Sequence, residues 1–386
     1  MEYTKLKCIN QYKSESINPA KTPDTVFEMY SVPIYETGHP EFLRGDEIAS
    51  NKAVVQKNDI LLCKINPRIN RVWVVSDESD KMNIASSEWI VIRNSEYNPE
   101  FLAWYFRTPK FQKLMTSEVT GIGGSLTRAQ PKCVAEYPVP VLDRVKQDEI
   151  VAILNKCKFV IESRKQELDA LDNLIKARFV EMFGDVTTGN YKYETRKLGD
   201  VANVGSSHRV FTTEFVEEGI PFYRGTEIGE LANGIKPTEP YYISEEHYNR
   251  LANDDTKPQI GDLLMPSICN KGQVWMVDTD KPFYYKDGRV LCISPDRQIF
   301  NTKYLEYFMR VKTLVEYPKL GSGSTFAEFK IFLLKDIDVL IPPRELQNQF
   351  ADFVLQVDKS KFKEKVCYIR LRILKRKHHQ LLLLKK

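Results

Sequence analysis

The run from Arg144 to Phe183 limits what this chain can become more than any other stretch. Ile150, Leu154, Cys157, Ile161, Leu168, Leu171, Ile175 and Met182 fall at steps of four and three, and Arg164 and Arg178 fill the two positions left over. That spacing is the a/d register of a coiled coil with two polar interruptions. Neither Gly nor Pro breaks it, and Asp172 precedes Lys176 as a supporting i,i+4 pair. Pro138 and Pro140 stand before the run and Gly184 just after it, where start and stop signals belong. At 1.5 Å per residue such a helix is a rod of roughly 60 Å. An apolar seam of that length needs a partner helix, either from a second chain or from elsewhere in this one.

The rest of the sequence points to a partner in the same chain, because it repeats. Phe42-Leu43-Arg44-Gly45-Asp46-Glu47-Ile48 recurs as Phe222-Tyr223-Arg224-Gly225-Thr226-Glu227-Ile228. Asn58 to Leu62 answers Gly261 to Leu264, and Arg71 to Val75 answers Gln273 to Val277. Asn98 to Leu102 answers Asn301 to Leu305, and Gly123-Gly124-Ser125 answers Gly321 to Ser324. Pro138-Val139-Pro140 with Gln147 answers Ile341-Pro342-Pro343 with Gln347. Six matches in one order, offset by about 180 to 203 residues, mark a duplication. Shifted by 200, the early seam becomes Phe350, Val354 and Val357. The second helix therefore starts near Glu345, and the two helices are expected to pair antiparallel.

Each globular unit reads as α+β. Ile60–Ile65 and Arg71–Val75 read as strands around a polar loop, as do Leu263–Ile268 and Val274–Val277. Pro99–Met115 and Thr302–Val315 read as aromatic-rich amphipathic helices, and Leu198–Val204 reads as a strand. With 386 residues, 42% hydrophobic and 28% charged, an ordinary globular chain of two or three domains is expected. No apolar run approaches the ~20 residues of a membrane span, and the first residues lack a signal-peptide core. Seven cysteines are scattered singly, as reduced thiols of a cytoplasmic protein would be. The net charge of +4 says little about nucleic acid: residues 359–386 carry a local +10, which leaves −6 for the rest.

The polar loops are the first candidate sites. One holds Lys64, Asn66, Arg68, Asn70 and Arg71; the other holds Asn270, Lys271 and Gln273. Arg and Lys match guanine O6 and N7, while Asn and Gln match adenine N6 and N7. The two loops stand at the same place in the repeat but differ in sequence, as two readers of different DNA sequences would. Composition alone also fits a solvated hairpin. Ser206-Ser207-His208-Arg209 forms another polar turn, and His208 equally suits a plain surface position. Arg44 and Arg224, in the repeated motif, read as scaffold residues pairing with the following Glu, with a phosphate contact as the alternative. The glycine-rich stretches Gly121–Thr127 and Gly321–Thr325 lack the spacing of a phosphate-binding loop and read as turns. No metal-ligand or triad spacing is present. One nuclease-like trace, Pro295-Asp296 with Glu328-Phe329-Lys330, would suit a Mg²⁺ site, but the first repeat lacks it.

Duplicated α+β units separated by long helices, with glycine-serine turns leading to a Pro-Pro and a Gln before each helix, resemble the specificity subunit of type I restriction–modification systems. The strings Lys197-Leu198-Gly199-Asp200-Val201, Ile220-Pro221-Phe222-Tyr223-Arg224-Gly225 and Leu340-Ile341-Pro342-Pro343-Arg344-Glu345-Leu346-Gln347 carry the likeness. It spans nearly the whole chain and is strongest over 195–358 and the central helix.

The resemblance implies a non-catalytic subunit with two target recognition domains, 1–143 and 185–342, each reading half of a split double-stranded DNA site. Spacer helices over 144–184 and 343–386 would follow them and pair as an antiparallel coiled coil. The seam residues Ile150, Leu154, Ile161, Leu168, Leu171 and Ile175 would hold the spacer and dock adenine methyltransferase subunits, with restriction subunits joining them. S-adenosylmethionine, ATP and Mg²⁺ would belong to those partners, and no cofactor or metal to this chain. After Val357 the shifted seam departs from the pattern, meeting Lys361, Glu364, Lys375 and His378 while apolar residues move to Phe362, Val366, Ile369 and Ile373. Two other readings stand beside this one: a Mg²⁺-dependent nuclease using Asp296, Glu328 and Lys330, and a helical scaffold without a nucleic-acid role.

Overall fold

The computed structural model describes residues 2–120, 127–254, 256–320, 327–361, 364 and 369. The glycine-rich stretches, apart from Thr127, and most of the basic tail lie outside the described residues. The rest forms two compact units, one up to Gln166 and one from Glu167, so the division falls inside the helix Arg144–Phe183.

The first unit is built on the strand Ile60–Cys63, between Val72–Val74 and Trp89–Ile92 in an antiparallel sheet. All four of its residues are buried, and successive side chains of a strand point to opposite faces. Ile60 and Leu62 therefore join a core with Phe101, Leu102, Phe106 and Ile150. Leu61 and Cys63 face a second cluster with Tyr30, Trp73 and Trp89. A sheet covered on both sides reads as an unbroken apolar run, which is why period-two alternation is absent here. The second unit repeats the device. Leu263–Pro266 lies between Trp275–Met276 and Val290–Pro295, with Ala202–Gly205 on the far side of Val290–Pro295. Leu263 and Met265 face one core and Leu264 the other.

The duplication extends to side-chain detail. Asp59 accepts from the Gln56 amide and pairs with Arg93 at 2.6 Å. Asp262 accepts from the Gln259 amide and pairs with Arg297 at 2.8 Å. The opening strand Tyr3–Lys5 pairs with Pro138–Pro140, and Thr195–Lys197 pairs with Asp338–Leu340 in the same sense. The units diverge in their second sheets. The first has five strands and the second four; each contains one parallel pair, formed by different strands.

Both long helices are tied to their units by a buried glutamine. Gln147 Oε1 accepts from the Asn98 amide at 2.8 Å, and its Nε2 donates to the Leu142 carbonyl at 2.8 Å. Gln347 Oε1 accepts from the Asn301 amide at 2.9 Å, and its Nε2 donates to the Pro342 and Ile299 carbonyls. Asn98 and Asn301 in turn cap the helices that follow them.

Residues 344–361 are helical, and within the second unit this helix meets the end of Arg144–Phe183. Phe350 touches Phe179 and Phe183 at ring separations of 5.3 and 5.6 Å, while Lys361 pairs with Asp172 at 2.5 Å. Contacts that run up one helix and down the other make this pairing antiparallel. Phe350, Val354 and Val357 are buried, as the shift by 200 requires. Beyond Lys361 only Glu364 and Ile369 are described, so the rest of the departing seam lies outside the described residues.

Three local expectations are corrected. The helix expected over Pro99–Met115 is two helices, Pro99–Phe106 and Pro109–Ser117. Pro109 forces Thr108 into an extended conformation, and the Thr108 hydroxyl then caps the second helix. Leu198–Val204 is not one strand: Leu198–Val201 forms a helical turn before the strand Ala202–Gly205. Its Leu198 and Val201 enter the core, an i,i+3 spacing that a strand would place on opposite faces. Finally, the deepest residues at the end of the central helix are Phe179 and Phe183, while Met182 is only partly buried. A straight helix drifts ~20° per heptad from a seven-residue register, so after several heptads the buried stripe has moved by one position.

The glutamine clamps yield a stability prediction. Gln347→Ala leaves the Asn301 amide and two carbonyls without their buried partner, and should cost the second unit about 2–3 kcal/mol in urea unfolding. A loss well below 1 kcal/mol would show that the clamp is dispensable.

Candidate nucleic-acid interface

The loop after Ile60–Cys63 is shaped by a short helical turn. Pro67–Ile69 is a 3-10 turn bounded by Asn66 and Asn70, with φ of 46° and 54°. Asparagine tolerates this left-handed region better than other residues with a side chain, so the spacing of the two asparagines shapes the turn. Asn70 Nδ2 donates to Gln112 Oε1 at 3.2 Å, and Gln112 Nε2 donates to the Arg68 carbonyl at 2.6 Å. The Asn66 amide donates to the Thr127 carbonyl. Arg68 is exposed and Arg71 partly buried, its Nε enclosed without a hydrogen-bond partner. Lys64 instead lines a cavity of about 390 Å³ with Leu6, Tyr12, Trp89 and Pro131.

In the second unit the sheet brings two polar loops together. Ala202–Gly205 and Leu263–Pro266 both run antiparallel to Val290–Pro295, with Gly205 opposite Cys292 and Pro266 opposite Val290. Both strands therefore end near Val290, and the loops with Ser206–Arg209 and Asn270–Gln273 leave the sheet by the same end. Asn270 and Lys271 are exposed. Gln273 Oε1 accepts from the Lys271 amide at 3.0 Å and so folds back on its own turn. Gly272 has a φ of 64°, and a Cβ there would meet the Arg310 carbonyl at 2.6 Å.

The serines at this end are tied inward. Ser206 Oγ donates to the Val290 carbonyl and accepts from the Gly288 amide, both at 2.8 Å. Ser207 Oγ donates to the Tyr285 carbonyl at 2.5 Å. His208 Nε2 meets Asp254 Oδ2 at 2.7 Å, and this contact pulls the Asp254 carboxyl down to about 2. Arg209 is exposed and lies over the Phe211 ring at 5.0 Å. Arg209, Asn270 and Lys271, with the exposed His208 held on Asp254, are thus the outward polar groups described at this end.

Equivalent positions just past the central strands hold an ion pair that the sequence reading missed. The Lys64 amide donates to the Glu88 carbonyl and the Ala129 amide to the Lys64 carbonyl. The Ser267 amide donates to the Arg289 carbonyl and the Phe329 amide to the Ser267 carbonyl. In the first unit Arg128 binds Glu88 through Nε and Nη2, both at 3.3 Å. In the second, Arg289 Nη1 binds Glu328 at 2.6 Å. The two repeats thus carry the pair with opposite polarity. No string match could reveal it, because the partners become equivalent only through strand register.

The same geometry separates the residues of the nuclease-like trace. Glu328 sits beside Arg289 at the start of Val290–Pro295, whereas Asp296 follows its end, a separation of roughly 20 Å by strand rise. Lys330 and Arg289 both pair with Glu328, and the Lys330 contact first of all holds its carboxyl below the usual range. Asp296 caps its own turn by accepting from the Gln298 amide at 2.8 Å. Among the described residues no group of His, Cys, Asp and Glu is placed to hold a metal ion.

Arg44 and Arg224 also differ in their contacts. Arg224 pairs with Glu227 at 2.6 Å, while the Arg44 side chain turns to Asp24 and Asp46 and only its amide reaches Glu47.

The inward hydrogen bonds of the serines give a prediction. Ser206→Ala should cost about 1 kcal/mol of stability, measured by urea unfolding, and should leave the DNA sequence preference unchanged. A changed preference with unchanged stability would move Ser206 from the scaffold to the interface.

Comparison with known proteins agrees with this architecture. Residues 190–366 match the family Type I restriction modification DNA specificity domain. The whole chain superposes on the S subunit of the type I restriction-modification system of M. genitalium, with a TM-score of 0.59, 13% identity and 96% of that chain covered. It superposes equally on a chain from a structure of type I R-M complex assembly and conformational transition, with a TM-score of 0.58, 19% identity and 97% of that chain covered. Among the described residues no helix is long and apolar enough to cross a membrane. Residues 190–366 are thus similar to the type I restriction modification DNA specificity domain, and along its full length the chain shares its fold with the solved type I S subunit.

Proposed function

We propose that this chain is the DNA-reading specificity subunit of a cytoplasmic type I restriction–modification complex, and does no chemistry itself. Each unit reads one half of a bipartite double-stranded site. The observation that carries this reading is that a duplicated sheet presents different polar loops after the same central strand. Asn66, Arg68 and Asn70 stand there in one unit, and Asn270 and Lys271 in the other. A common frame with changed loops supplies two readouts of different sequence, and linking two modest readouts raises the affinity of the pair through effective concentration. Methyltransferase subunits would dock on the helices and supply S-adenosylmethionine chemistry, and restriction subunits would use ATP and Mg²⁺.

Sequencing the methylome of a host that expresses the subunit with its methyltransferase partner tests this reading. A split motif with a constant gap is expected. Exchanging residues 195–342 for those of a relative should then change one half of the motif alone; a change in both halves would refute independent reading.

The central helix is proposed to set the gap. Lys165, Gln166 and Glu167 are exposed, so an added turn of four residues is best placed there. It adds about 6 Å, equivalent to roughly one to two base pairs, and acts as a stutter that locally unwinds the helical pairing. The gap in the methylated motif should lengthen accordingly. An active complex with an unchanged gap would remove the helix from that role.

A further inference from the structure

The polarity-reversed ion pair beside the central strands has a feature that stability does not explain. In both units the arginine is the more exposed partner and the carboxylate the more buried one. Arg128 is 42% exposed over Glu88 at 27%, and Arg289 is 61% exposed over Glu328 at 19%. Exposed ion pairs contribute only ~0–1 kcal/mol, and a structural pair would serve equally well with the acid outermost. The arginine comes from opposite sides in the two units: from the segment after the glycine-rich stretch in the first, and from the start of the neighbouring strand in the second. What the two corners share is an outward guanidinium with an acid beneath it.

The acid fixes the guanidinium without consuming it. Glu88 takes two of the five N–H donors of Arg128. Glu328 takes one contact from Arg289 and is itself held by Ser267 Oγ and Lys330. The remaining donors face outward next to the candidate reading loops, because Lys64 and Ser267 are the first residues past the central strands in both. Resting on the DNA-reading function proposed above, we infer that Arg128 and Arg289 are specificity-determining residues. Each reads a guanine through O6 and N7 in its own half-site, and Glu88 and Glu328 are positioning residues that aim the fork. Guanine offers two adjacent acceptors in the major groove; a guanidinium meets both with a rigid planar fork, whereas an ammonium reaches them as a flexible point charge and selects them less sharply.

The test is the methylated motif of the subunit assembled with its methyltransferase partners, for Arg128→Lys and Arg289→Lys. Lysine keeps the charge and the ion pair, so both variants should fold with urea midpoints near that of the parent. Each should lose discrimination for a G·C pair by about tenfold or more, Arg128→Lys in one half of the motif and Arg289→Lys in the other. Arg289→Gln should relax the same base pair as Arg289→Lys. Methylation that falls equally at all sequences would make these phosphate contacts and overturn the inference, as would motifs unchanged in every variant. If the parent complex methylates no split motif at all, the DNA-reading function fails; a split motif in the parent with no change in the variants defeats only the assignment of these arginines.

Discussion

A buried side-chain amide joins each long helix to its globular unit, and the rest of the structure is built around that join. Gln147 and Gln347 are almost fully enclosed, and a buried amide is costly unless its donors and acceptor are paired. Each meets that demand in one way: it accepts from the backbone amide of the asparagine that caps an earlier helix of the same unit and donates to the carbonyls of the turn it has just left. One side chain thus fixes where the long helix starts and which way it leaves the unit. Apolar contacts alone would hold the helix but would not select its starting residue.

Around that join, the two units share what packing dictates and differ where water reaches. The central strand is buried on both faces, so a change there would open a cavity or overfill one. The loops past its end lie at the surface, where the backbone is held by turn geometry and by bonds to the next segment. Their side chains vary at little cost. Asn66 and Asn70 give one turn a left-handed start and finish; Gly272 gives the other its positive φ. Under the proposed function this partition lets recognition change without touching the core.

The two units also show how one interaction is retained while its parts are exchanged. Asp59 and Asp262 are equivalent, yet Arg93 follows its strand directly and Arg297 comes from a later turn. The outward corner goes further and reverses the charges. In both cases the location of the charged pair is kept, not the identity of the residue that supplies it.

The amino-acid sequence by itself determined the elements set by local rules. These are the unbroken helix Arg144–Phe183, the apolar central strands, the asparagine caps and the duplication that relates them. It also located the loops Asn66–Asn70 and Asn270–Gln273, since turn residues between apolar runs are a local signal. Tertiary structure decided whatever depends on strand register or on which hydroxyl finds a buried carbonyl. Ser206 and Ser207 look like free polar groups in the sequence, but they close hydrogen bonds to two different strands more than seventy residues away. Asp296 and Glu328 look like a cluster, but a whole strand separates them. Arg128 and Arg289 carry no sequence motif, and only the pairing of Trp89 with Cys63 and of Val290 with Pro266 brings them to equivalent corners. Periodicity is a property of neighbours in the chain; register is set by bonds between distant segments, and no local pattern encodes it.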